Sequence, residues 1–156
     1  MDDSETVRGT SSVSVFDRII ERRLEEITAI ANGAADPEVA LSAMVLHHLR
    51  FALEDRDHLT PWQEEFRSLP PEDAWRLRRM QRLYVEEWVQ VLGEIRPDLS
   101  DGEARAAVHA TLALLHSPTE YKSGLPQEAI TPLLASMALG ALHAAGPAPG
   151  PPVESV

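Results

Sequence analysis

The 156-residue sequence has no cysteine. That excludes disulfides, a thiol nucleophile and cysteine-ligated zinc. Aromatic residues make up only 5% of the chain. No Gly-rich phosphate loop and no Gly-x-Ser-x-Gly elbow occurs, so neither a nucleotide cradle nor that type of hydrolase nucleophile is signalled. No basic start followed by an apolar core marks a signal peptide, and no uninterrupted apolar run is long enough to span a bilayer. A reducing cytoplasm fits these absences. Positive charge is scarce as well: 14 Lys and Arg stand against 25 Asp and Glu, for a net charge of -11. A field of that sign repels nucleic acid and anionic membranes at long range. Direct nucleic-acid binding by this chain alone is therefore not expected.

Strand-period alternation is missing too, and helical periodicity is everywhere. The opening residues 1–12 are polar and unpatterned and read as disordered. From Val13 the period changes: Val15, Ile19, Ile20, Leu24, Ile27 and Ile30 share one helical face, and Asn32-Gly33 ends the run. Asp36-Pro37 offers an N-cap with proline at the first helical position. The helix that follows, EVALSAMVLHHLRFALE, is apolar nearly all round, which is the mark of a central helix. Thr60-Pro61 starts a short helix carrying Trp62 and Phe66. The longest run lies before Arg96-Pro97, with Leu77, Met80, Tyr84, Trp88, Val91 and Ile95 on its inner stripe. Ser100 and Glu103 form a capping-box signature for the next helix, which should stop at Ser117-Pro118. The last helix begins at Gln127 or Thr131, with Thr131 and Pro132 best placed as cap and first turn, and runs to Ala145. The tail 146–156 is rich in proline and should be disordered. The expected fold is all-α, an antiparallel bundle of about six helices over residues 13–145.

Chemistry is sparse. Bundle metal sites repeat Glu-x-x-His on paired helices, and the nearest match is a single Asp55-x-x-His58. His47 and His48 point about 100° apart, and His109 and His116 lie two turns apart, so neither pair suits one ion. No metal, cofactor or catalytic residue is expected, and the chain reads as a non-enzyme. Arg76, Arg78, Arg79 and Arg82 sit among aromatics, a mixture that suits nucleic acid. A solvated helix face, with Arg82 paired to Glu86, is the plainer reading. The aromatics concentrate in the middle of the chain. Met44, His47, His48, Phe51, Trp62, Phe66, Met80, Tyr84 and Trp88 either line a small-molecule pocket or fill a solid core.

Two helices near the end, ARAAVHATLALLH and LLASMALGALHAA, carry almost no charge on any face, and something must cover them. FDRIIERRLEEI, then HHLRFALEDRDHL, then YVEEWVQVLGEIRPDLSDGEARAAVHATLALLHSPTEYKSGLP and LLASMALGALHAA resemble the C-terminal half of a TetR-type transcriptional regulator. Helix order, the long middle helix and the Ala-rich final pair carry the resemblance, over roughly Val13 to Ala145. It implies a domain that binds a small hydrophobic effector and forms a homodimer through its last two helices. The interface would then take Ala106, His109, Ala110 and Ala113 from one helix, and Leu134, Met137, Ala138, Ala141 and Ala145 from the other. Family members begin with a three-helix DNA-binding domain. About a dozen residues precede Val13, so the expectation is an effector-binding and dimerisation unit without a DNA reader. The alternative is a stand-alone helical interaction protein that homo- or heterodimerises and takes no small molecule.

Overall fold

The computed structural model describes residues 4–54 and 67–146, with side chains from Asp17 onward. Five helices occupy them, and no strand occurs among the described residues: α1 (Ser4–Gly33), α2 (Pro37–Glu54), α3 (Pro71–Ile95), α4 (Asp101–Glu120) and α5 (Gln127–Ala144). The all-α expectation holds. The sixth expected helix, starting at Thr60, and the tail beyond Gly146 lie outside the described residues.

Helix α2 is the hub, as its composition requires. Ala40, Leu41, Met44, Val45, His48, Leu49 and Ala52 are all buried, and α2 packs against α1, α3, α4 and α5. Its broad apolar side is covered by the other four helices, while Glu38, Val39, Leu46, Arg50 and Glu54 remain exposed. Leu77, Met80, Trp88 and Val91 of α3 are buried as their spacing predicts. So are Val108 and Leu115 of α4, with Leu112 packed against the same core.

Helix ends follow local chemistry. Glu38 N–H donates to Asp36 Oδ1 at 2.9 Å, which caps α2. Ser100 Oγ accepts from Glu103 N–H at 3.2 Å while Glu103 Oε2 accepts from Ser100 N–H at 2.8 Å, a reciprocal capping box. Arg96, just past α3, closes the far end of α5: it pairs with Asp98 and donates to the carbonyls of Leu142, His143 and Ala145. Those are carbonyls that a helix C-terminus leaves without internal donors. His143 Nε2 reaches Glu38 at 2.8 Å and ties the same end to α2.

Several boundaries differ from the pattern. The first helix starts at Ser4 rather than Val13, so residues 4–12 are helical; a polar stretch without proline has nothing to stop a helix already propagating behind it. At 30 residues α1 is also longer than the 25 of α3. Proline ends neither of the Ala-rich helices. Helix α4 runs through Pro118 to Glu120, because the lost N–H falls in its last turn and the ring is buried. Tyr121 N–H still closes onto the Ser117 carbonyl at 3.0 Å. Helix α5 starts at Gln127 with Pro132 inside it, so Thr131 is not a cap. The turn between the two helices needs Gly124 at φ +76°, a conformation that glycine adopts without steric cost.

Replacing Ser100 with alanine removes one acceptor of the capping box and should destabilise the fold by about 1 kcal/mol. Urea denaturation of the Ser100→Ala chain should show a lower midpoint with an unchanged slope.

Candidate functional site

Four helices each contribute a polar or aromatic group to one buried cluster. Arg23 stands on α1 between Ile20 and Ile27, three residues after one and four before the other, so helical spacing turns it inward with them. Helix α2 brings His48 and Phe51; α3 brings Tyr84 and Trp88; α4 brings His116. His48 is the buried centre. Its Nδ1 lies 2.7 Å from Tyr84 Oη and 3.4 Å from Arg23 Nη2, and its Nε2 lies 3.0 Å from His116 Nε2. Its ring meets those of Trp88 and His116 edge-on. The Arg23 guanidinium lies over the Phe51 ring, 3.2 Å from its centroid, and 5.4 Å from that of Tyr84.

The charges fix the proton positions. Burial, reinforced by the positive charge of Arg23, holds the His48 imidazole well below its usual range. The same two causes, in the same order, lower His116, and burial raises the Tyr84 phenol. All three are therefore neutral at pH 7, and Arg23 is the cation among them. A guanidinium only donates, so His48 Nδ1 carries the lone pair. Tyr84 O–H then donates to His48 Nδ1, and His48 Nε2–H donates to His116 Nε2. This is a one-way relay across three helices. Beside it, Trp88 Nε1 is buried and finds no partner at hydrogen-bond geometry among the described residues. The cluster places hydrogen-bond donors and acceptors together inside an apolar bundle.

Of the residues named from sequence, His48, Tyr84 and Trp88 meet directly, and Phe51 joins them through Arg23. Met44 is fully buried in the core that holds Trp88, and Met80 is buried on α3. His47 faces the other way, toward Glu26, with Nε2 to Oε2 at 2.7 Å. Trp62 and Phe66 lie outside the described residues. Sequence reading missed Arg23 and His116. Both had a signal in their spacing: Arg23 falls on an apolar stripe, and His116 follows Leu112 by one turn. The expected Arg82–Glu86 pair is replaced, because Arg105 reaches across from α4 and takes the Glu86 carboxylate with two nitrogens.

The Ala-rich helices present a second feature. Ala106, His109, Ala110 and Ala113 are exposed along one side of α4. On α5 the exposed side runs through Leu133 (47%), Met137 (49%) and Ala141. Leu134 and Ala138 do not belong to it. They are buried within the chain's own core, because they sit one position round the helix from Leu133 and Met137. Ala145 is half-buried.

Residues 34–121 match the family described as Tetracyclin repressor-like, C-terminal domain. The chain belongs to that family. The TetR-type bundle is also seen in the crystal structure of a transcriptional regulator of the TetR/AcrR family from Thermobifida fusca YX-ER1. That protein is 22% identical, with a TM-score of 0.68 over 81% of this chain and 70% of that one. The likeness shows the fold. No curated protein matches this chain. Among the described residues, no helix is long and apolar enough to cross a membrane.

The buried histidines should make this domain less stable in mild acid. His48 and His116 are held below the ordinary histidine value, so below about pH 6.5 the unfolded chain takes up protons that the folded chain refuses. Their contribution is complete above that value and is lost as pH falls below it. Glu26, Glu86 and Glu103 are held low and weaken the fold only below their own usual value of 4.5. The exposed His143 is raised by the Leu139 carbonyl and Glu38, and it acts in the opposite sense. The melting temperature should fall between about pH 7.5 and about pH 5.5, and His48→Gln should remove most of that dependence. Thermal melts followed by circular dichroism across this window measure it.

Proposed function

We propose that this domain is the sensing and dimerising half of a transcriptional regulator, with its effector seated against the His48 cluster. The observation that carries the reading is the cluster itself. Arg23, His48, Tyr84 and His116 converge from four helices into the bundle interior, where a purely structural core would use apolar side chains. Buried polar groups cost free energy unless they are satisfied, and a chain that places several together gains specificity for what touches them. Family membership supports the same reading. The effector is a small, largely apolar molecule with at least one polar group for the relay. The cluster has a hydrogen-bonding role here and no catalytic one.

Binding to the native state alone raises stability, by about 2.7 kcal/mol at a hundredfold excess over Kd. A thermal-shift screen of drug-like apolar compounds against the chain should find ligands that raise the melting temperature. Tyr84→Phe removes the hydroxyl that donates to His48 and should weaken such a ligand about tenfold. A screen in which every compound that stabilises the parent chain stabilises Tyr84→Phe equally would count against the site.

The exposed Ala106, Ala110, Ala113, Leu133, Met137 and Ala141 face is the homodimer surface in this reading. Small residues let helix axes approach closely, and a two-fold interface presents each residue twice. Ala141 is exposed in the single chain, so Ala141→Glu leaves the protomer folded and places two carboxylates in the interface. Light scattering after size exclusion should show a dimer for the parent and a monomer for the variant, with unchanged helical circular dichroism.

A further inference from the structure

Positive charge in this chain is concentrated on one face of α3. Residues 74–85 hold Arg76, Arg78, Arg79 and Arg82 and no acidic residue, whereas the rest of the chain carries 25 acids against ten basic residues; Arg76 is already paired with Asp17 and Asp73. The face also exposes large apolar surface. Trp75 is 59% exposed and Leu83 44%. Arg79 lies over the Trp75 ring, 5.9 Å from its centroid. At helical spacing Trp75, Arg79, Arg82 and Leu83 fall within an arc of about 100°. On its α4 side the face opens into a cleft of about 410 Å³, with Arg78, Gln81, Arg82 and Val85 along one wall and Arg105 and His109 along the other. The one carboxylate in the cleft, Glu86, is already taken by Arg105.

We infer that this α3 face is a docking surface for an acidic segment of a partner protein, one that carries carboxylates together with an apolar side chain. Trp and Arg are among the residue types that most often dominate protein interfaces, and here Trp75 shares one exposed strip with Arg79 and Arg82. Guanidinium groups pair with carboxylates in two-pronged geometry. The cleft has the volume to take one or two apolar side chains of the segment while the arginines hold its acids. The surrounding surface supplies orientation. Because the remainder of the chain is strongly net acidic, long-range charge favours the approach of an acidic partner at α3. A nucleic acid fits less well, because its long run of phosphates would extend from this strip over the strongly acidic remainder.

The test uses the full chain and a fluorescein-labelled peptide of Glu-Glu-Leu repeats, followed by anisotropy at physiological ionic strength. The expected result is saturable binding that Arg79→Glu combined with Arg82→Glu weakens about tenfold or more, and that Trp75→Ala weakens comparably. Arg50→Glu, on an exposed position of α2, should leave it unchanged. All these positions are exposed, and circular dichroism of each variant checks that it stays folded. Absence of binding would overturn the inference. So would binding indifferent to Trp75→Ala, since that is general charge attraction only. A single-stranded oligonucleotide of equal charge binding as tightly would assign the face to nucleic acid. Loss of self-association in Trp75→Ala would assign it to a second copy.

Discussion

A helix whose apolar side takes up half its circumference needs several neighbours, and the packing around α2 organises everything else in this domain. Its buried positions, from Ala40 and Leu41 to Leu49 and Ala52, take up about half of its circumference, more than one neighbour could cover. Four helices do so. The caps and clamps at the periphery keep those four in place. Asp36 starts α2 where α1 has ended, the Ser100–Glu103 box starts α4, and Arg96 fastens the end of α5 to the turn after α3. Each of these satisfies backbone groups that a helix terminus leaves over.

Enclosing α2 also buries His48, which draws polar partners from three other helices. An imidazole in that position is tolerated as a neutral ring with both nitrogens engaged, which is how it is held. Arg23 makes the arrangement directional, since a neighbouring guanidinium dictates which nitrogen keeps its lone pair. Burial is the main reason that both histidines resist protonation, and the charge of Arg23 reinforces it. One physical situation, a cation beside neutral buried rings, therefore sets both the tautomer and the neutral charge state of the cluster.

Outside the core, the domain divides its surface by chemistry. The exposed side of α4 and α5 is built from alanine with Leu133 and Met137, and close helix packing suits it. The exposed side of α3 is built from arginine with Trp75 and Leu83, and it contrasts in charge with the remainder of the chain. The α3–α4 cleft, which includes His109, borders both.

The sequence by itself determined the helical class, the central position of α2, the caps at Asp36 and Ser100, and the inner stripe of α3. Each of these depends on spacing or on a side chain reaching two or three residues along its own backbone. It also singled out His48, Tyr84 and Trp88 as residues belonging together, through the concentration of aromatics in the middle of the chain. Only the tertiary structure decided their partners. Arg23 and His116 lie 25 and 68 residues from His48, and no local rule brings such positions into contact. The exchange of Arg82 for Arg105 beside Glu86 has the same origin, since a residue on a neighbouring helix can outcompete one four positions away. Leu134 and Ala138 show the limit most plainly. On a helix apolar all round, composition cannot say which stripe faces inward, and the packing of α5 against α2 and α4 made that choice.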